Sequence, residues 1–300
     1  MARRGEEKAP GLRSRPLFRS AVVAVRDVQC RPETPACGCE ECSTEHALVF
    51  PRRGAFVVHH GAERNVIDAN HVLFFTAWRT HRVSHLNLEG DACTVLRFDE
   101  AVLDEAVRDH GRAAGAAPFP RSHSLADARA ALESRSLFAG LTMGQADALA
   151  VEEGSLRLLR GALRSAGAPA TRARRQDRIN RSVQECLAER PFERWSLTDL
   201  AAAAGASPYH LARSFRATAG LPIHRYQLRL RLAAGLNRVL AGCEDFTGLA
   251  LDLGFSSHSH FTSAFRRAFG LTPSAVRAGT DRDRLARLRK ISTAAPRSLA

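Results

Sequence analysis

Residues 196–216 read SLTDLAAAAGASPYHLARSFR, and this stretch decides what kind of protein the chain is. Ser196 precedes Asp199 at the spacing that caps a helix N-terminus. Leu197, Leu200 and Ala201 form one apolar stripe, and Gly205 permits the left-handed backbone that ends such a helix. Ser207 then caps a second helix whose first position is Pro208. Leu211 and Phe215 point inward, leaving Tyr209, His210, Arg213 and Arg216 outward. A short helix, a glycine turn and a second helix with a polar, basic face predict a helix-turn-helix. The design recurs 49 residues later, from Gly205 to Gly254, in residues 246–267, FTGLALDLGFSSHSHFTSAFRR. Phe246, Leu249 and Ala250 make its inner stripe, Ser256 or Ser257 caps, and Phe261 and Phe265 anchor. His258, Ser259, His260 and Thr262 face out, with Arg266 and Arg267 behind them. Two histidines two residues apart do not share a helical face, so this pair reads as DNA contacts and not as a metal site. Between the units, Leu228, Leu232, Leu236 and Val239 give one seam of a connecting helix, flanked by Arg229, Arg231 and Arg238.

The charge distribution agrees. Residues 171–300 hold 22 Lys+Arg against 10 Asp+Glu, and residues 1–170 hold 22 against 21, so nearly all of the net +13 lies in the second part. A cationic surface releases counterions from duplex DNA whatever its sequence. At 300 residues the chain is long enough for two cores. No apolar run approaches the roughly 18 residues that would span a bilayer, and residues 1–20 lack the pattern of a secretory leader. The expected location is cytoplasmic, without membrane contact.

This region resembles the AraC/XylS family of bacterial transcription regulators. The resemblance rests on Leu200-Ala201 before Gly205, on Ser207 to Phe215 with Leu211 and Arg213, and on Gly220-Leu221-Pro222 with Tyr226. It continues through Arg229 to Ala233, Ala250 to Phe255, Ser259 and Phe261, Phe265-Arg266, and Gly270-Leu271-Thr272-Pro273. It implies that Tyr209, His210 and Arg213 contact promoter DNA from the first recognition helix, and His258, Ser259, His260 and Thr262 from the second. Arg216, Arg266 and Arg267 would mostly hold phosphates. Ser263 stands where the family often has Arg, and Val276 replaces the usual aromatic before Arg277.

The first part is strand-rich. Residues 47–50, 55–58, 65–67, 72–75 and 93–98 are short Val/Ile/Phe/Thr runs separated by turn residues, with a further β-branched run at 21–25. Such spacing predicts an antiparallel barrel or jelly roll. Residues 68–83 are similar to half of a cupin repeat, which implies a signal-sensing domain whose mouth His59, Trp78, His81 and His85 line; the alternative is strand histidines on a half-wet surface. Residues 124–138 and 144–165 have helical periodicity, with Leu149, Leu156, Leu159 and Leu163 on one side, and the family resemblance implies that this region makes a homodimer. The expected fold is α+β: a basic arm without regular structure (1–20), a cupin-like β-barrel domain (21–120), a helical dimerisation region (121–170), an all-α domain with two helix-turn-helix motifs (171–280), and a charged tail (281–300).

Cys30, Cys37, Cys39 and Cys42 lie within thirteen residues. Close thiols in a chain without an export signal point to zinc as a structural or sensory cofactor, to a thiol sensor of oxidants or electrophiles, or to ordinary unligated cysteines. Cys93, on a predicted strand, is a candidate neighbour; Cys186 and Cys243 read as small core residues. The effector is a small molecule or a redox signal. No nucleophile elbow, P-loop, dinucleotide fingerprint or H-E-x-x-H is present. The rival class, a metal-dependent cupin-type enzyme, rests on His59, His81 and His85 alone.

Overall fold

The computed structural model describes residues 11–34, 38, 40–113, 115–167 and 178–278. Cys37 and Cys39, residues 168–177 and the 281–300 tail lie outside the described residues.

The N-terminal part is a double sheet that does not close into a barrel and fits the cupin-like, jelly-roll alternative expected from the strand spacing. Six antiparallel strands form one sheet: β1 (Leu12–Arg19), β2 (Val23–Cys30), β9 (Asp91–Phe98), β4 (Ala47–Arg53), β7 (His71–Phe75) and β10 (His123–Leu125), in that order. Four form the second: β3 (Glu41–Cys42), β8 (Thr80–His85), β5 (Phe56–His60) and β6 (Glu63–Ile67). Strands β4, β7 and β9 read as unbroken apolar runs because both their faces are buried. Ala47, Val49, Leu73, Cys93 and Val95 meet Phe56, Val58 and Ile67 between the sheets. The alternate residues Leu48, Phe50, Val72, Phe74 and Leu96 face a helical layer instead. That layer is α1 (Glu100–Asp109), α2 (Ala128–Thr142) and α3 (Ala148–Gly167).

Three expectations are corrected here. Residues 12–19 of the presumed arm are strand β1, paired along β2 from Leu12↔Cys30 to Arg19↔Ala24. Alternate polar and apolar residues on a half-exposed edge strand gave it no apolar run to be read by. The expected strand domain over 21–120 also holds helix α1, capped by Asp99. The leucine side of α3 is not a free dimer surface. Leu159 and Leu163 are buried with Val151 and Leu158 against the six-stranded sheet, while Leu149 is 61% exposed.

The C-terminal part is all helical: α4 (Arg178–Glu189), α5 (Leu197–Ala203), α6 (Pro208–Ala219), α7 (Ile223–Leu240), α8 (Phe246–Asp252), α9 (His258–Phe269) and α10 (Pro273–Ala278). It has two cores. Val183, Leu187, Leu200, Ala201, Leu211, Phe215, Tyr226 and Leu230 form the first. Leu232, Leu236, Val239, Leu249, Ala250, Phe261, Phe265 and Val276 belong to the second, joined there by Leu132 and Ala139 of α2. Helix α7 therefore feeds one core from each half, and α2 ties the second core to the sheets. Arg135 of α2 is buried and donates to the carbonyls of Pro51 and Ala131 at 3.2 Å and of Ala69 at 3.4 Å. Asn237 of α7 donates to the Arg52 carbonyl at 2.7 Å.

Candidate nucleic-acid interface

The two recognition helices are built by local chemistry. Ser196 accepts from the Asp199 N–H while Asp199 accepts from the Ser196 N–H, a reciprocal box that starts α5. Ser207 accepts from the His210 N–H to start α6, with Pro208 in its first turn. In the second unit Asp245 accepts from the Thr247 and Gly248 N–H groups to start α8. Ser257, rather than Ser256, accepts from the His260 N–H to start α9. Gly205 and Gly254 take positive φ at the two turns, and Gly220 and Gly270 do so at the ends of α6 and α9. A Cβ on Gly254 would also sit 2.5 Å from the Phe192 carbonyl, so the second turn is closed to larger residues by packing as well as by φ.

Leu211 and Phe215 turn α6 into its core, and Phe261, Ala264 and Phe265 do the same for α9. The opposite face of α6 carries Tyr209, at 78% exposure, with His210, Arg213 and Arg216 exposed beside it. That of α9 carries exposed His258, Ser259, His260, Ser263, Arg266 and Arg267, with Thr262 half-buried. No hydrogen bond or ion pair to a described residue occupies the side chains of Tyr209, Arg213, Arg216, Arg266 or Arg267. An unpaired cation on a rigid helix face is available to a phosphate or a guanine edge. His258 and His260 point apart: His258 stacks on Phe246 and bonds Thr262, while His260 bonds Ser256 Oγ at 3.0 Å.

The connector arginines divide by role. Arg231 donates to the carbonyls of Pro191, Phe192, Glu193 and Gly254, tying the two units together. Arg229 is turned inward and donates to the Ala126 carbonyl. Leu197, expected in the inner stripe, is 41% exposed.

The sensor histidines do not form one constellation. Side chains alternate along β5 and β8, and the register pairs Phe56 with His85 and His59 with Arg82. His81 and His85 thus share a face with Phe56, Val58 and His60, whereas His59 lies on the other face and bonds Ser84 Oγ at 2.8 Å. Trp78 projects into solvent from the turn before β8, at positive φ. His81 packs on Phe75, with ring centroids 4.4 Å apart, and lies 6.3 Å from the His60 ring; burial and the cations around it push His60 down to about 4. Only the register singles out His60 over His59, and the sequence shows both side by side. Of the described cysteines in the cluster, Cys30 is buried and Cys42 is exposed.

A polar group missed in the sequence joins the two parts. Tyr226 of α7 donates its hydroxyl to Asp68 Oδ2 at 2.6 Å, and Asn70 donates to the Tyr226 carbonyl at 3.1 Å. Burial alone would raise the Asp68 carboxyl. The His71 ring 2.8 Å away, with the Tyr226 hydroxyl and the Asn70 N–H, holds it below the ordinary range instead.

The geometry defines a pair of helix-turn-helix units on one connector, the DNA-binding class. A family model described as a helix-turn-helix domain matches residues 200–279. The chain is 29% identical over 100 residues to the HTH-type transcriptional regulator MtrA of Neisseria gonorrhoeae, 33% of each protein. It is 30% identical over 101 residues to a putative AraC-like transcription regulator of Streptomyces lividans, 34% of this chain and 33% of that one. Among solved structures it is similar to the DNA-binding domain of AdpA in complex with a target DNA, at 25% identity and TM-score 0.32, over 33% of this chain and 90% of that one. The C-terminal helical region carries an AraC-type helix-turn-helix domain. The match spans about a third of the length of its curated relatives.

Proposed function

We propose that the whole chain is a sequence-selective DNA-binding transcription regulator, in which α6 and α9 enter successive major-groove segments and the double sheet receives a signal. The observation that carries this reading is the pair of N-capped helices that expose unpaired arginines and polar groups on faces held by one connector. Regulators that share the matched region support it, and they support a role without catalysis. The signal would pass through α2, which is shared between the sheets and the second core, and through the Asp68–Tyr226 bond. No helix among the described residues is long and apolar enough to cross a membrane, and we place the protein in the cytoplasm.

Selection of bound duplexes from a random pool tests the reading: an enriched motif supports it, and an unenriched pool removes it. On the selected site, Arg213→Ala should weaken binding by about 1–3 kcal/mol if Arg213 reads a base, and equally on all sequences if it only touches phosphate. The reading also includes two chains per site. Light scattering should give twice the chain mass, from a surface other than the buried leucines of α3.

A further inference from the structure

Three strand termini meet at one edge of the double sheet. Cys30 ends β2, Asp91 begins β9 and is its register partner, and His85 ends β8 in the other sheet. One sulfur, one imidazole nitrogen and one carboxylate oxygen from these residues all lie within 4.8 Å of one another. A tetrahedral zinc with bonds of about 2.0–2.3 Å would space its ligand atoms roughly 3.3–3.8 Å apart, so small side-chain adjustments form such a site.

Other observations point to a ligand. His85 Nε2 is buried and forms an ion pair with Asp91 Oδ2 at 3.0 Å, with the Cys30 thiol beside it. A buried imidazole, carboxylate and thiol gathered at one point make the donor set of a metal site, in which an ion replaces the contacts the groups make with one another. The second carboxylate oxygen is held from behind, since the Cys93 thiol donates to Asp91 Oδ1 at 3.5 Å, and Arg52 donates to the Cys93 carbonyl at 3.2 Å. Such outer contacts orient ligands. The backbone around the group is fixed as well. A Cβ on Gly90 would sit 1.9 Å from the Cys30 carbonyl, and one on Gly54 would sit 2.2 Å from the Gly90 carbonyl, both at positive φ.

We propose that Cys30, His85 and Asp91 bind a divalent zinc ion, which would clamp the edge where the two sheets meet. This set takes one residue from the cysteine cluster and two that are distant in sequence. Cys42 is exposed, with its thiol directed at the Ser43 carbonyl. Three protein ligands leave the fourth tetrahedral position for water or an incoming donor. The cysteine binds as thiolate, so each zinc taken up releases the thiol proton.

The site stands apart from the DNA-binding reading, and the full-length chain tests it without DNA. Reduced wild-type protein should carry about one zinc per chain by elemental analysis, and cobalt in its place should give a thiolate-to-cobalt charge-transfer band. His85→Asn and Asp91→Asn should each lose the zinc, and Cys30→Ser should lose the cobalt band. Because misfolding alone would also empty the site, chelation supplies the second arm: it should lower the wild-type melting temperature and leave that of His85→Asn unchanged. Wild type without bound zinc and without the cobalt band overturns the proposal. So does full zinc retention in both His85→Asn and Asp91→Asn, including the case where Cys37→Ser/Cys39→Ser alone removes the metal.

Discussion

His123 shows how a single side chain ties stability to pH. It lies on β10 among His71, His60, Arg121 and Asp68, and its pKa is pushed down to about 3. Burial is the main cause, the neighbouring cationic groups add to it, and Asp68 opposes it. In the unfolded chain the ring titrates near 6.5. Below that pH the unfolded state takes a proton that the folded state refuses, so stability is full above about 6.5 and falls as pH drops toward about 3. Within that window the loss from His123 is about 1.4 kcal/mol per pH unit. His60, held at about 4, acts in the same direction. Urea unfolding at pH 7, 6 and 5 should show the decline, with a shallower slope in His123→Gln; equal slopes would mean that the ring is not the source. Neither histidine was marked in the sequence, because His59 and His60 differ only in which face of β5 the register assigns them.

The element that explains most is α7. Its first half gives Tyr226 and Leu230 to the first core, and its second half gives Leu236 and Val239 to the other. The leucine seam was legible because period 3.6 is written in the residues themselves, and so were the serine caps and glycine turns around it. Two things were not. Arg229 and Arg231 look like surface cations in sequence, but carbonyls from distant segments turn them into internal fasteners. Tyr226 is matched to Asp68 across 158 residues of chain, which no local pattern records. Removing its hydroxyl in Tyr226→Phe keeps the ring volume and leaves the buried Asp68 carboxylate short of one donor. The expected loss is about 1–3 kcal/mol in urea unfolding; a change within about 0.3 kcal/mol would mean that solvent replaces the hydroxyl. In the sheets, β4, β7 and β9 were readable as apolar runs, while β1 and β8 were not, since each exposes polar residues along much of its length.

At the scale of the whole molecule, the net +13 and its concentration after residue 170 set up attraction to any duplex, while the two exposed helix faces supply the means to choose among sequences. The tight seating of α2 against both the sheets and the second core makes the chain one connected body, through which occupancy of the double sheet would bias the reading helices. Under the proposed function, Arg216, Arg266 and Arg267 would set how steeply affinity falls with salt, and Tyr209, His210 and Arg213 would set which site is preferred. The most direct measurement is fluorescence anisotropy of the full-length chain on its selected duplex and on a scrambled one, across a salt series. Sequence-selective binding predicts affinity at least about a thousandfold higher for the selected duplex at physiological salt, and a negative slope of log affinity against log salt on both duplexes. Equal affinity for the two duplexes at every salt concentration would contradict it.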